Sequence, residues 1–159
     1  YTGETQKKFT GENLDWLMEA PCEFLVPAAR PDSITSRNAD RIQCKVILQG
    51  ANTPSNKMTE YYLNNRRGIL SLNDFIVNVG GVIGCAVEVK MASDPEYRDK
   101  VRKTGTRTYL EDLIHSTVSR NVEEIFRRLK DSPEDTLFRE QALKLAEERL
   151  DSKQKESWL

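Results

Sequence analysis

The sequence has no long apolar run, few cysteines and no metal-binding motif. Its longest apolar stretch, residues 82–89, is far too short to cross a bilayer. The cysteines, Cys22, Cys44 and Cys85, are odd in number, widely spaced and without a CxxC pair, which argues against a disulfide framework and a structural zinc site. We therefore expect no metal and a cytoplasmic protein with reduced, largely buried thiols.

No charge of one sign prevails either. The chain has 24 Lys+Arg and 25 Asp+Glu, so we expect neither nucleic acid nor a membrane as its partner. A basic cluster between Arg98 and Arg107 is interleaved with acidic residues, which is typical of a solvated face. With 159 residues, of which 38% are hydrophobic, the chain suits one domain with a helical extension.

Three short apolar runs predict strands that are buried on both faces. They cover residues 24–26, 46–48 and 69–72. About twenty residues with helical character separate successive runs, far more than a hairpin needs, so parallel crossovers are expected. One of these connections contains a clear helix at residues 56–67, which Gly68 is expected to close. The first part of the chain is therefore predicted to form an α/β unit.

The other periodic segments predict four more helices. A helix rich in apolar residues ends near Asp94 and Pro95, and a long amphipathic helix starts with a capping box of Thr108 and Glu111. We expect its continuous apolar stripe to be covered. Ser132, followed by a proline, is the expected N-cap of the last helix. The four predicted helices cover residues 12–20, 79–91, 109–130 and 133–150.

Segments of small residues follow the predicted strands at residues 27–29, 50–52 and 78–81. Ligands of open α/β sheets bind beyond the carboxyl ends of the strands. Small residues allow a flat ligand close to the backbone, and Asn52 and Asn78 each offer a donor and an acceptor. Taken alone, each segment is typical of an ordinary tight turn. Their occurrence after three consecutive strands favours a ligand site.

The same segments carry a resemblance to a known family. The strings CEFLVPAA, KVILQGANTP and GILSLNDFIVNVGGVIGCAVE resemble, in order and spacing, three blocks of the Glu/Leu/Phe/Val dehydrogenases. The resemblance implies a partial Rossmann-like parallel sheet with flanking helices and a C-terminal helical extension. It also implies an NAD or NADP cofactor and reversible oxidative deamination of an L-amino acid, with hydride transfer to the nicotinamide.

Six cofactor-binding residues are implied by position in this resemblance. Asn52 and Asn78 would hydrogen-bond the nicotinamide nucleotide, the alanine pair would lie near its ribose, and the glycine pair would let the next helix approach it. Cys85 occupies a position where glutamate-specific members have a substrate-contacting serine, which argues against glutamate or indicates a divergent glutamate enzyme. The six are Ala28, Ala29, Asn52, Asn78, Gly80 and Gly81.

Other positions depart from the family pattern. Glu23 replaces an aspartate, Asn73 a proline and Val79 an alanine. No GxGxxG motif occurs, and the glycine-rich stretch at residues 80–84 does not have that spacing. Because the phosphate loop and the catalytic lysine of the family are missing from this sequence, we expect a piece of a longer, homo-oligomeric enzyme that starts upstream of Tyr1.

The division expected from these patterns has three parts. Residues 1–91 belong to the nucleotide-binding domain, residues 92–151 are helices packed on it, and residues 152–159 are a tail. None of the catalytic residues is expected within this sequence, and the isolated chain is expected to be inactive. His115 is interpreted as a capped or solvent-facing histidine rather than a catalytic one. An alternative reading is a non-catalytic binding module that has lost the nucleotide.

Overall fold

The computed structural model describes residues 15–156, and side chains within residues 16–152. This part of the chain folds into a three-stranded parallel sheet, seven helices and one short 3-10 turn, which confirms the predicted α/β class. The beginning of the predicted first helix lies outside the described residues. The strands are β1 (Phe24–Leu25), β2 (Val46–Leu48) and β3 (Leu70–Leu72). The helices are α1 (Asp15–Glu19), α2 (Lys57–Arg67), α3 (Asp74–Val77), α4 (Gly80–Ser93), α5 (Pro95–Thr104), α6 (Thr106–Lys130) and α7 (Phe138–Glu156).

The sheet has the order β1-β2-β3, with every pair parallel. Phe24 lies opposite Val46, and Val46 in turn lies opposite Leu70. This arrangement confirms the parallel crossovers that the spacing of the apolar runs predicts. Because the strands are parallel and adjacent, the loops that follow them leave from the same edge of the sheet.

The two faces of the sheet contribute to two hydrophobic clusters. Ile47 is fully buried in the first cluster, beside Leu63 of α2. Its neighbours in β2, Val46 and Leu48, pack against the second cluster, which Ile125 of α6 helps to form. The alternation of side chains along β2 therefore joins α2 to one face and the C-terminal helices to the other. The second cluster consists of Leu72, Ile76, Ile125, Phe138, Ala142 and Leu145.

Burial of β1 on both faces was a wrong prediction. Phe24 is 62% exposed, and Val26, just after the strand, is 55% exposed. The strand is at the edge of the described sheet and has a paired neighbour, β2, on one side only. An apolar run thus indicated a strand correctly but could not indicate how many layers cover it.

The apolar stripe of α6 is covered, as the sequence predicts. Its eight residues are all buried or half-buried, and Ile125 is the most completely enclosed among them. Helix α7 and the sheet cover the C-terminal half of the stripe. The stripe consists of Leu110, Leu113, Ile114, Val118, Val122, Ile125, Phe126 and Leu129.

The predicted capping box of α6 is absent from the structure of this helix. The helix begins at Thr106, with Gly105 as its N-cap, so Thr108 already lies inside the first turn. Glu111 forms an ion pair with Arg107 at 2.8 Å instead of reaching back to a cap. Glycine at φ 89° begins the helix after the sharp turn from α5, and this local geometry outweighs the capping motif.

The start of α7 also differs from the prediction. Residues 133–136 form a turn, closed by a 3.0 Å hydrogen bond from the Thr136 N–H to the Pro133 carbonyl, and the helix begins at Phe138. The Ser132 hydroxyl donates to the Arg128 carbonyl at 2.8 Å rather than capping α7. A proline can begin a turn as well as a helix, because both accept its fixed φ.

Helix α5 was missed by the sequence reasoning. The helix consists mostly of charged residues, so its short apolar stripe was not recognised. The central residue of this stripe, Val101, is fully buried. Asp94 caps this helix by accepting the Tyr97 N–H at 2.9 Å, and Pro95 occupies its first position, where the preceding helix is expected to break. Among the described residues, no helix is long and apolar enough to span a membrane.

The turn between α2 and β3 depends on the backbone of one glycine. Gly68 has φ 63°, and a methyl group added there would meet no atom within 4 Å. We expect Gly68→Ala to lower the free energy of unfolding by about 1–2 kcal/mol through backbone strain alone. Gly84→Ala is the matched control, because Gly84 is equally open but lies within α4, where alanine is expected to be neutral or stabilising. Urea unfolding of both variants measures the difference, and equal effects would contradict it.

Candidate functional site

The loops after β1 and β2 approach each other very closely. The Ala51 N–H donates to the Pro27 carbonyl at 2.8 Å. A Cβ atom at Gly50 would lie 3.0 Å from the Cβ of Ala28 and 3.2 Å from a methyl group of Val26. A side chain at position 50 would crowd both residues, so the small residues at the two strand ends lie against each other.

The loop after β3 reaches the same surface through two asparagines. The Asn78 side-chain amide donates to the side-chain oxygen of Asn52 at 3.3 Å, and both residues are exposed. The two amides thus meet at one edge of the parallel sheet, and their role in binding a ligand stays a prediction. Within the part of the chain that the structure describes, Asn52 Nδ2 and Asn78 Oδ1 have no other hydrogen-bond partner, so the pair presents one donor and one acceptor outward.

Unusual backbone conformations hold these loops together. Thr53 has φ 44°, and its N–H donates to Asp74 Oδ2 at 2.8 Å. Its carbonyl accepts the N–H of Asp32, which has φ 49°, at 3.1 Å. Non-glycine residues adopt these angles at a cost that the surrounding contacts must offset. The Thr53 peptide thus ties the loop that carries Asn52 to the other two loops.

The glycine pair lies at the amino end of α4. Val79 is the N-cap and makes no side-chain capping hydrogen bond. A Cβ at Gly80 would lie 3.7 Å from the Ile114 side chain, whereas one at Gly81 would meet nothing within 4 Å. Internal packing of the described residues therefore does not require a glycine at position 81. The helix presents amide groups and open space beside the asparagine pair.

Cys85 lies one turn beyond Gly81 on α4, where it is exposed and unpaired with any other cysteine. The expectation of a buried structural thiol was therefore wrong for Cys85. Helix α4 turns a different side, that of Val87, toward the interior. Val82 and Val89 of the same helix are also 72% and 71% exposed. The general expectation of largely buried thiols also fails for Cys22, which is exposed, whereas Cys44 is half-buried.

His115 is exposed on α6, as predicted from its position. Among the described residues, no group of three or more histidine, cysteine or acidic side chains is arranged to hold a metal ion.

A buried polar network lies beneath this surface, and the sequence reasoning missed it. Glu60 of α2 is 3% exposed. Its carboxylate accepts hydrogen bonds from Gln49 Nε2 at 2.7 Å and from Asn73 Nδ2 at 2.8 Å. Gln49 Nε2 also approaches the hydroxyls of Ser55 and Ser71, at 3.0 and 2.9 Å. These groups connect the end of β2, the start of α2 and the end of β3.

Arg139 of α7 neutralises the buried carboxylate. Its guanidinium donates to both oxygens of Glu60, from Nε at 2.7 Å and from Nη2 at 2.8 Å. Hydrogen bonding to Glu60 raises the pKa of Arg139, and Asp74 contributes a smaller electrostatic effect in the same direction. The guanidinium also lies 5.5 Å from the centre of the Phe75 ring. A C-terminal helix is thereby fixed to the strand ends.

The network extends to the loops of the candidate site. The Asp74 N–H donates to Gln49 Oε1 at 3.3 Å, and the Asp74 carboxylate holds the Thr53 N–H. The asparagine at position 73, where the family has a proline, has a structural reason. Its side-chain amide donates to Glu60, which a proline could not do. Arg139 and Glu60 are 79 positions apart in sequence, so no local pattern signals their pairing.

The comparisons with known proteins bear on this arrangement. The sequence profile of the Glutamate/Leucine/Phenylalanine/Valine dehydrogenase family matches residues 1–157. The chain belongs to this family. It is 44% identical over 72 residues to a glutamate dehydrogenase of Aeropyrum pernix, and 37% identical over 82 residues to an NADP-specific glutamate dehydrogenase of Saccharolobus shibatae. These matches cover 45% and 52% of the chain, but 17% and 18% of the relatives.

Solved dehydrogenase structures share the fold. The hetero-hexameric glutamate dehydrogenase of Thermus thermophilus superposes with a TM-score of 0.64 at 26% identity, covering 87% of this chain and 31% of that one. The L-tryptophan dehydrogenase of Nostoc punctiforme gives 0.67 at 19% identity, covering 86% of this chain and 37% of that one. The second likeness concerns the Rossmann-like fold alone. The three-stranded sheet thus corresponds to part of a larger dehydrogenase chain.

The buried ion pair is expected to dominate the stability of this region. Arg139→Met would leave the Glu60 carboxylate buried without its cation, which is expected to lower the free energy of unfolding by about 3–5 kcal/mol. The double variant Arg139→Met/Glu60→Gln is expected to recover part of that loss, because it removes the uncompensated charge.

The matched control is Arg107→Met. This arginine pairs with Glu111, but the two side chains are 91% and 61% exposed, so removal is expected to leave stability nearly unchanged. Urea unfolding compares the three variants. An equal, small loss for Arg107→Met and Arg139→Met would contradict a dominant role of the buried pair.

Proposed function

We propose that this chain supplies the nicotinamide-side part of the cofactor site of an NAD- or NADP-dependent amino-acid dehydrogenase. The reaction is the reversible oxidative deamination of an L-amino acid, in which the bound cofactor accepts the hydride. The observation that carries the proposal is the contact between Asn52 and Asn78 beyond neighbouring parallel strands. Membership of the dehydrogenase family supports the same conclusion.

The outward-facing atoms of the asparagine pair suit a carboxamide. Asn52 Nδ2 is a donor and Asn78 Oδ1 is an acceptor, and a nicotinamide carboxamide offers one group of each complementary kind. The exposed residues Ala28 and Ala29, beside Gly50, provide a low wall for the adjoining ribose. The N–H groups of Gly80 and Gly81 add donors at the start of α4.

The chain's own residues orient the cofactor in this proposal rather than transfer a proton. Hydride transfer depends on the alignment of the nicotinamide ring with the substrate carbon, and a rigid set of hydrogen bonds fixes that alignment. The network around Glu60 supplies the rigidity, because it holds the loops of Thr53 and Asp74. No residue of the chain is proposed as catalytic.

The substrate side of the proposed site is formed by α4. Cys85 shares its face with Gly81 and would lie against the amino acid. A thiol is a weaker hydrogen-bonding group than the serine expected in glutamate-specific members, which favours a less polar side chain in the substrate. The sequence relatives favour glutamate instead. An amino-acid panel distinguishes these two possibilities. A cytoplasmic, oligomeric parent enzyme is part of the proposal.

A second candidate function is a binding module without catalysis. Val79 places a branched side chain next to the glycine pair, and the exposed Val82 and Val89 offer an apolar helix surface to a partner. This candidate predicts that the longer protein carrying the sequence binds no nicotinamide nucleotide.

The decisive measurement is turnover by the longer protein that carries this sequence. We expect it to reduce NAD or NADP with at least one of glutamate, leucine, phenylalanine, valine and tryptophan. The 159-residue chain alone is expected to be inactive, because hydride transfer also needs a phosphate loop and a base that this sequence does not provide. Turnover by the chain alone would contradict that expectation. If the longer protein neither turned over any of these substrates nor bound a nicotinamide nucleotide, the binding module would be favoured.

The asparagine pair provides a residue-level test in the active protein. Asn78→Ala removes both the contact to Asn52 and the outward acceptor, so kcat/KM for the cofactor is expected to fall by about tenfold or more, which corresponds to the loss of one hydrogen bond. Asn64→Ala serves as the matched control, since Asn64 pairs with Asn65 on α2. Unchanged cofactor kinetics in folded Asn78→Ala protein would remove the basis of the proposal.

A further inference from the structure

Two of the three cysteines, Cys22 and Cys44, lie on adjacent backbone segments just before β1 and β2. Before β1 and β2, the two backbone segments remain connected by hydrogen bonds. The Cys22 N–H donates to the Gln43 carbonyl at 3.0 Å, and the Lys45 N–H donates to the Glu23 carbonyl at 3.0 Å. The first of these bonds is one of the two that a parallel pair of Cys22 and Cys44 would make. The Lys45 N–H bonds to the carbonyl of Glu23 rather than to that of Cys22, so the ladder is irregular at this point.

The register of the strands also brings these two segments side by side. Cys44 packs against the first hydrophobic cluster and Val46 against the second, so the alternation of β2 does not extend back to Cys44. Phe24 lies opposite Val46, and the cysteines precede these two residues by two positions each. The intermediate partners also touch, since Lys45 Nζ lies 2.8 Å from a carboxylate oxygen of Glu23. Paired strands lie about 4.8 Å apart, within the range of about 4.4–6.8 Å that separates the Cα atoms of disulfide-bonded cysteines.

We propose that Cys22 and Cys44 form a dithiol site that a small disulfide converts reversibly into a cross-strand disulfide. This site is separate from the proposed cofactor site, because the cysteines precede β1 and β2 whereas the cofactor loops follow these strands. The proposal therefore does not depend on the proposed function.

The environments of the two thiols assign different roles to them. Cys22 is exposed and accessible to a reagent, whereas Cys44 is half-buried. Burial raises the pKa of the Cys44 thiol to about 11, with a smaller effect from the neighbouring Cys22. Since the thiolate is the nucleophile in exchange, the exposed Cys22 reacts first with an external disulfide and Cys44 reacts second.

The exchange takes place in two balanced steps. The Cys22 sulfur, after loss of its proton, attacks one sulfur of oxidised glutathione, which breaks that disulfide and releases one glutathione thiolate. Cys44 then loses its proton to solvent and attacks the Cys22 sulfur of the mixed disulfide, releasing the second glutathione. The two protein thiols are oxidised, and one molecule of glutathione disulfide is reduced to two thiols.

Cys85 provides a control for exposure alone. It is exposed and free, as Cys22 is, but it lies on α4 near the carboxyl ends of the strands. A reagent that merely modifies accessible thiols would give the same product at both positions. A dithiol site gives a stable glutathione adduct at Cys85 but a protein disulfide at Cys22.

The experiment exposes the folded polypeptide carrying this sequence to oxidised glutathione and maps the products by mass spectrometry after proteolysis without reduction. The expected product is a peptide linking Cys22 to Cys44, lighter by two hydrogen atoms and lost on treatment with dithiothreitol. In Cys44→Ser protein, Cys22 is expected to retain glutathione, because no second thiol can displace it. In Cys85→Ser protein, the cross-link is expected to persist.

Two results would overturn the proposal. If the unsubstituted protein accumulated glutathione on Cys22 to the same extent as Cys44→Ser, without a cross-link, the proposal would be overturned. It would also be overturned if the cross-link formed only in denaturant. Circular dichroism before and after oxidation establishes that the product belongs to the folded chain.

Discussion

The geometry of this molecule depends on one buried ion pair, between Glu60 and Arg139. A carboxylate with 3% exposure would carry a large desolvation cost without a cation and several donors around it. Arg139 satisfies both carboxylate oxygens, and the amides of Gln49 and Asn73 complete the shell. Because the cation belongs to α7, the arrangement of the strand ends depends on the docking of the last helix.

The directional character of this network explains why the adjoining loops are held firmly. Apolar packing tolerates small shifts, whereas a bidentate guanidinium and an amide accept a narrow range of orientations. Gln49 transmits the orientation to the backbone of Asp74, and Asp74 in turn holds Thr53 at its positive φ. The loops that carry Asn52 and Asn78 are thus linked to the buried network through Asp74 and Thr53.

The sequence was informative where a physical pattern is local. Apolar runs of strand length, the long connections and Gly68 predicted the parallel sheet and the end of α2 correctly. Prediction failed where two local solutions compete, as at Pro133, which begins a turn rather than a helix. It also failed for burial, because the exposure of Phe24 and Cys85 depends on which elements lie above them.

The candidate site shows the same division between local and distant information. The small residues and asparagines could be identified from the sequence, since their types suit a ligand at strand ends. Glu60 could not be recognised as the centre of a network, because its burial as a carboxylate depends on pairing with Arg139, 79 positions away. The sequence showed Asn73 only as a departure from the family pattern, whereas in the structure its amide donates to the same buried carboxylate.

Gly81 adds a final argument about where the ligand would lie. At Gly50, a side chain would crowd Ala28 and Val26, so the packing of the fold itself gives a reason for the glycine. At Gly81, open space surrounds the backbone, and the helical conformation does not need a glycine either. A glycine lowers helix stability by about 1 kcal/mol relative to alanine. The presence of Gly81 beside the asparagine pair therefore favours a contact with a group outside the described residues. A nicotinamide nucleotide that approaches α4 would explain why a glycine occupies this position.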